Sequence, residues 1–420
     1  MKDCFDEIIG YEDIKKELRV ISDMLNNPEV YKKLGAKINE GLILCGKPGT
    51  GKTTMANCLI KSTGRNVYIC RKKSSDGKFV KAITNTFQTA KMNAPSIVLL
   101  DDLDKFSDQE EEQDGEEFAA VQACIDEVKG MDVFIMATAN NTRKIPSSLL
   151  RAGRLGKKIT VRLPKDDEAA KIIKHYLDKL QTCDDLDEIS IARLLSGESC
   201  AALESAINSA AMKAAFNRQD KINMQNIVDA CLDLTFGAPE SDTPLPEETR
   251  RRIAYHEAGH VIAAEILAPG TVSIASIRKT ESGDYGFVRY SRNDDLEATD
   301  SAYYENCIKV SLAGKAASEI VFGEKDLGSE CDIRGAFGRA ERLVDYICMY
   351  GFQNWISDDH DNFVSENRNR AMAMVLERNY LEVKKILAEH RDLLDRMATE
   401  LLNRTTLLYS DIQKICAHVS

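Results

Sequence analysis

The stretch that most constrains this chain runs from Gly41 to Ile60. An apolar run, Gly41-Leu42-Ile43-Leu44-Cys45, leads directly into Gly46-Lys47-Pro48-Gly49-Thr50-Gly51-Lys52-Thr53, and a helix-forming segment, Thr54 to Ile60, follows. The spacing is G-x-x-x-x-G-K-[ST], with a strand before it and a helix after it, which makes it a P-loop and commits this part of the chain to an α/β fold. The glycines of Gly46 to Gly51 let backbone N–H groups close around phosphate oxygens, and the helix N-terminus adds the positive end of its dipole. Lys52 is placed to reach the β- and γ-phosphates of ATP, and Thr53 to sit on Mg²⁺.

A second apolar run, Ser96-Ile97-Val98-Leu99-Leu100, ends in Asp101-Asp102. A buried strand closing on an acidic residue downstream of a P-loop is the Walker-B pattern: Asp101 helps to hold Mg²⁺ and Asp102 positions the attacking water. Between Ser107 and Glu117 the sequence is acidic and reads as a solvated loop. Another strand, Val133 to Thr138, leads to Asn140 and on to Leu149-Leu150-Arg151-Ala152-Gly153-Arg154.

A different chemistry sits at His256-Glu257-Ala258-Gly259-His260. Residues four apart share a helix face, so His256 and His260 can offer their imidazoles to one metal ion. Glu257 beside them can take a proton from water, which is the H-E-x-x-H arrangement of zinc peptidases. Two imidazoles leave zinc short of ligands, so a third must come from elsewhere in the chain. The helix is expected to start with Glu247-Glu248 after two prolines and to stop at Pro269-Gly270, with Ile253, Val261, Ile262 and Ile266 forming an apolar side.

Composition narrows the alternatives. A length of 420 residues allows two or three domains, and a net charge of −11 argues against a general affinity for nucleic acid. The 12 cysteines are scattered with no C-x-x-C pair, so neither a cysteine metal site nor a disulfide framework is indicated. No run approaches the ~18 apolar residues of a membrane span, and Met1 to Asp6 has no apolar signal region. The expected compartment is a reducing cytoplasm.

The order of P-loop, Asp-Asp strand, Asn140 and Leu-Leu-Arg-x-Gly-Arg resembles an AAA+ ATPase. With His-Glu-Ala-Gly-His after it, the chain resembles the FtsH family of ATP-dependent zinc proteases from about Phe5 to the C-terminus. The resemblance implies an α/β nucleotide-binding subdomain with a parallel sheet over residues 1–164, then a helical lid over 165–236. A Pro-rich linker over 237–248 and a mostly α-helical zinc peptidase domain over 249–420 follow. It implies that Asn140 is the sensor contacting the γ-phosphate or its water, and that Arg151 and Arg154 reach the ATP of a neighbouring copy in a homohexamer. It also implies that Asp332, in Gly328-Ser329-Glu330-Cys331-Asp332, is the third zinc ligand. A helix-capping role for Asp332, and Glu319 as a competing ligand with a structural or outer role, stay open. ATP, Mg²⁺ and Zn²⁺ are the cofactors implied, and protein the substrate.

The chain departs from that family at four points. The family's membrane spans are absent, so membrane anchoring is not carried over. Its Walker-B glutamate is replaced by Asp102, one methylene shorter. The loop that grips substrate aligns with Ser75-Asp76-Gly77, with Phe79 as a substitute. A third arginine is replaced by Lys157. The leading expectation is an ATP-driven protease that unfolds and degrades protein. The alternatives are a nucleotide-binding remodeller or switch with slow turnover, and a peptidase assembled by nucleotide without threading.

Overall fold

A computed structural model of the protein describes residues 3–36, 41–72, 78–107, 115–180, 186–240, 245–291, 301–323, 329–351 and 362–417. The Ser75-Asp76-Gly77 loop, residues 108–114 of the acidic run and Gly328 lie outside them. The chain divides into two compact units, one formed by Met1–Gln181 with Gly197–Ile207 and the other by Thr182–Ser196 with Asn208–Ser420.

In the first unit two helices, α1 (Glu12–Asn26) and α2 (Pro28–Lys33), precede strand β1 (Gly41–Cys45). Helix α3 (Lys52–Thr63), β2 (Asn66–Cys70), α4 (Phe79–Met92) and β3 (Ser96–Leu100) come next. Then follow α5 (Glu116–Glu127), β4 (Val133–Ala139), β5 (Lys157–Thr160) and α6 (Asp166–Leu177). The strands pair in parallel in the order β2-β3-β4-β1-β5. The three central strands, β1, β3 and β4, are buried along their whole length, which is why they read as unbroken apolar runs. In such a sheet the C-terminal strand ends line the ligand crevice, and there the P-loop leaves β1, Asp101 leaves β3 and Asn140 leaves β4. The acidic run is not loop throughout, because Glu116 and Glu117 form the first turn of α5, where acidic side chains face the positive helix end.

Helix α7 (Glu188–Leu194) belongs to the second unit, α8 (Cys200–Phe216) contributes to both, and α9 (Met224–Leu234) lies in the second. Helix α10 (Glu247–Leu267) is followed by β6 (Val272–Lys279), β7 (Tyr285–Tyr290), α11 (Ser301–Phe322) and α12 (Glu330–Glu341). The chain ends with α13 (Asn362–Glu389), α14 (Arg391–Arg404), β8 (Thr406–Leu408) and α15 (Tyr409–Ala417). A small antiparallel sheet, β7-β6-β8, flanks the helices.

Helix α10 starts at Glu247 with both glutamates in its first turn and ends before Pro269-Gly270, as the sequence predicts. It has no single apolar side, however. Every residue from Ile253 to Glu265 is buried, which makes it a central helix enclosed on all faces and not an amphipathic one. Its polar far end is satisfied by Glu265, whose carboxylate accepts from Gly270 N (2.8 Å), Val272 N (3.2 Å) and Gln413 Nε2 (2.7 Å). No helix among the described residues is long and apolar enough to cross a membrane.

Candidate active sites

The buried middle of α10 presents both imidazoles to α12. His256 Nε2 lies 3.1 Å from His260 Nε2 and 3.1 Å from Asp332 Oδ2, and His260 Nε2 lies 3.4 Å from the same oxygen. These edges match a tetrahedral site, whose ligand atoms stand about 3.3 Å apart when bond lengths are about 2.0–2.1 Å. The donor set of two imidazoles and one carboxylate suits zinc. Among the described residues this trio is the group of His, Cys, Asp or Glu side chains able to hold one ion. His260 Nδ1 lies 2.7 Å from the Val310 carbonyl of α11. That contact fixes the proton on Nδ1 and leaves Nε2 as the ligand atom.

Asp332 is the third residue of α12, and the N-cap position belongs to Ser329, so Asp332 does not cap the helix. Burial opposes its charge, but the hydrogen bonds and fields of His256 and His260 hold its carboxyl far below the usual range. Glu319 is engaged elsewhere. One of its oxygens takes Lys384 Nζ at 2.8 Å and the other accepts from the Tyr380 hydroxyl, a structural tie between α11 and α13. Glu257 is 4% exposed. Its carboxylate lies against the backbone of β7 at Gly286, where a Cβ would collide with Oε1 and where φ is +80°. Only glycine meets both demands. Tyr290, at the end of β7, was not singled out in the sequence. Although the residue is 40% exposed, its hydroxyl end is desolvated and faces the negative charges of Glu257 and Asp332, which push its pKa above the usual tyrosine range.

The second candidate site is the P-loop. Gly51 adopts φ +91° as it enters α3, a left-handed conformation that other residues resist. The loop's Thr50 hydroxyl donates to the Lys47 carbonyl at 2.9 Å. Lys52 Nζ donates to the carbonyls of Gly46 (2.9 Å) and Lys47 (2.8 Å). Burial lowers the Lys52 pKa against the opposing pull of Asp102 and Asp104.

Asp101 and Asp102 are held by a residue not foreseen from the sequence. The Thr138 hydroxyl on β4 donates to Asp101 Oδ1 (2.8 Å) and accepts from Asp102 N (2.9 Å). Asp104, also unforeseen and buried, accepts the backbone N–H groups of Asn140 (3.2 Å) and Asn141 (3.0 Å), which fixes the end of β4. Asp102 stands at φ +56° and pairs with Lys105 (2.9 Å) and Arg71 (3.4 Å). Its burial opposes ionisation, but those two cations outweigh it and lower the pKa. Register brings Arg71 there: Cys70 on β2 lies beside Leu100 on β3, so the next residue meets Asp101 and Asp102.

The two arginines differ. Arg151 is exposed. Arg154 forms a two-pronged bond to Asp126 (Nε 3.0 Å, Nη2 2.7 Å) and donates from Nη1 to the Ser148 carbonyl at 2.7 Å. Lys157 pairs with Glu17 at 2.5 Å. Phe79, expected to substitute as a grip on substrate, is instead a core residue. It is 8% exposed and packs edge-on to Phe106 with ring centres 4.8 Å apart, because as the first residue of α4 it faces the sheet.

Comparison with known proteins places a match to the AAA ATPase family (ATPases associated with various cellular activities) over residues 42–163 and to peptidase family M41 over 244–415. The chain is 29% identical to the ATP-dependent zinc metalloprotease FtsH 3 of Conexibacter woesei, covering 97% of this chain and 58% of that protein. It is 28% identical to the FtsH of Thermus thermophilus, covering 99% and 70%. With the FtsH of Lachnoclostridium phytofermentans it shares 29% identity, covering 98% and 74%. The chain therefore spans between somewhat over half and three quarters of the length of these relatives.

Proposed function

We propose that this chain, whose two matched regions give it the AAA+ zinc metalloprotease architecture of the FtsH family, is an ATP-dependent zinc metalloendopeptidase that degrades protein substrates. The observation that carries the reading is the convergence of His256, His260 and Asp332 within 3.4 Å beside the buried Glu257. In this reading His256, His260 and Asp332 hold zinc, which supplies Lewis acidity to the scissile carbonyl and acidifies water. The Glu257 carboxylate takes a proton from the attacking water as its oxygen bonds to the carbonyl carbon. It then passes that proton to the amide nitrogen as the C–N bond breaks.

On the nucleotide side, Gly46, Lys47, Pro48, Gly49, Thr50 and Gly51 cradle the phosphates of ATP, and Lys52 exchanges its loop carbonyls for phosphate oxygens. Thr53 and Asp101 hold Mg²⁺, Asp102 orients water and Asn140 reports on the γ-phosphate. Arg151 acts on the ATP of a neighbouring copy, with Arg154 beside it, so the working form is a ring, taken as a homohexamer. A cytoplasmic site of action belongs to the same proposal and rests on the scattered cysteines. One specific observation favours slow ATP turnover: Lys105 and Arg71 already occupy the short Asp102 carboxylate.

The test is degradation of unfolded casein by the purified chain with Zn²⁺, with and without ATP, alongside phosphate release. Glu257→Gln is expected to cut cleavage by about 10²–10⁴-fold while phosphate release continues. ATP-dependent cleavage supports the reading. Cleavage indifferent to ATP points to a nucleotide-assembled peptidase. No cleavage, with ATP still bound, leaves the remodeller.

A further inference from the structure

Helix α11 approaches the metal-ligand cluster with its backbone. The Val310 carbonyl lies 2.7 Å from His260 Nδ1, and one turn further on Gly314 faces the other ends of the imidazoles. A Cβ added at Gly314 would fall 2.5 Å from His256 Nε2, 2.5 Å from His260 Nε2 and 2.6 Å from His256 Cε1. Non-bonded carbon and nitrogen atoms need about 3.5 Å, so one methyl group would overlap both rings. Ligand nitrogens that must come within about 2.0–2.1 Å of one ion cannot retreat from that methyl without leaving the ion.

The helices have little means of moving apart instead. A Cβ at Gly259 on α10 would meet Ala317 Cβ at 2.6 Å and the Ala313 carbonyl at 2.7 Å. Ala313, Ala316 and Ala317 are fully buried along the same seam. Separating α10 from α11 would open that seam and withdraw the Val310 carbonyl from His260.

We propose that Gly314 is a positioning residue of the metal centre. By leaving out a side chain, it lets α11 bring the Val310 carbonyl up to His260 while the Nε2 atoms of His256 and His260 stay in ligating position. The inference rests on the zinc reading of the site. It assigns a role to Leu312-Ala313-Gly314-Lys315, a stretch to which neither the H-E-x-x-H spacing nor the third ligand gives one.

The experiment uses the full chain. Zinc affinity is titrated after chelation, and thermal melts are recorded with and without Zn²⁺, for wild type, Gly314→Ala and Gly338→Ala. The last is the control, since a Cβ at Gly338 on α12 meets nothing within 4 Å. Gly314→Ala is expected to weaken zinc binding by about 10–100-fold and to lose the zinc-dependent rise in melting temperature, with ATP binding unchanged. Gly338→Ala keeps both. Zinc bound by Gly314→Ala as tightly as by wild type overturns the proposal, whereas a wild type that binds no zinc overturns the zinc reading itself. If Gly314→Ala does not fold, it is placed in a His256→Ala/His260→Ala background. Recovery of a folded chain there supports the clash with the imidazoles. The same failure there assigns Gly314 to helix packing alone and overturns the proposal.

Discussion

At the metal-ligand cluster, three ligand atoms from two helices of one unit lie within 3.4 Å of each other, next to a glutamate that is 4% exposed. At the P-loop the charged groups are bonded to local partners: Lys52 to its own loop carbonyls, Asp102 to Lys105 and Arg71, Arg154 to Asp126. The first centre is made by packing and keeps its geometry as long as the helices do. The second is made of bonds that must exchange when phosphate, Mg²⁺ or a neighbouring copy supplies new partners. Exposed ion pairs are worth only about 0–1 kcal/mol each, so bonds to phosphate, which are charge-assisted and stronger, can displace them. A centre assembled by exchange tolerates a shortened carboxylate or a lysine at 157 as slower turnover, whereas a centre set by packing tolerates little.

The most severe way to break this comparison is to remove the charge proposed to act in trans. Arg151→Ala is expected to lower steady-state phosphate release by about 10³-fold while ATP binding and cleavage of a short unfolded peptide survive. Arg154→Ala should cost less, because its guanidinium is held by Asp126 and the Ser148 carbonyl. Phosphate release at saturating ATP, measured beside nucleotide affinity, checks both. An equal loss in the two variants would mean that Arg154 leaves Asp126 in the proposed assembly, and that exchange extends further than the pairing within one chain indicates.

A smaller effect in the opposite direction sharpens it. Asp102 stands at φ +56°, a conformation that aspartate adopts more readily than most residues. Asp102→Glu adds one methylene; with Asp102 orienting water as proposed, and since a displacement of about 1 Å at a catalytic group can cost 10²-fold, phosphate release is expected to rise by up to that factor. The left-handed backbone works against the change by about 1–2 kcal/mol, so the observed gain falls below it. Turnover unchanged in Asp102→Glu but raised in Arg71→Ala would identify the cationic pairing, and not carboxylate length, as the brake.

What could be read from the sequence follows the same division. The P-loop, the Asp101-Asp102 strand and the His256–His260 helix are local patterns, and the structure brings each of these together in its own unit. The central strands β1, β3 and β4 were legible because both faces are buried. The edge strands β2 (Asn-Val-Tyr-Ile-Cys) and β5 (Lys-Lys-Ile-Thr) were not, since an edge strand has no need of a continuous apolar run. Thr138, Asp104 and Arg71 escaped notice because their roles come from strand register between segments more than thirty residues apart. No motif encodes register. Phe79 failed as a candidate grip for a related reason: proximity to a loop in sequence says nothing of which side of α4 meets the sheet.

The smallest expected effect separates the two units by pH. In the first unit the Glu168 carboxylate accepts from Tyr11 N (2.8 Å), Lys165 N (2.9 Å) and Arg162 Nη2 (2.9 Å), and Glu168 is 6% exposed. Burial works against its charge, but the Arg162 guanidinium and those backbone N–H groups outweigh it and hold the pKa below that of an ordinary glutamate. A carboxyl whose pKa is depressed by folding adds stability above its unfolded pKa of about 4.3 and loses it as pH falls through the folded value. The Arg162 side chain is 32% exposed, so solvent screening trims the ion-pair share. Glu168→Gln should therefore cost about 1–2 kcal/mol at neutral pH, read as a fall of a few degrees in the ATP-shifted melting transition. The gap between variant and wild type should narrow below about pH 4, where the wild-type carboxyl takes up its proton. Zinc-shifted melting of the second unit should be the same in variant and wild type at each pH. A gap of constant size down to pH 3 would mean that shape, and not charge, holds Glu168 in place, and the first unit would then be set by packing as firmly as the metal-ligand cluster is.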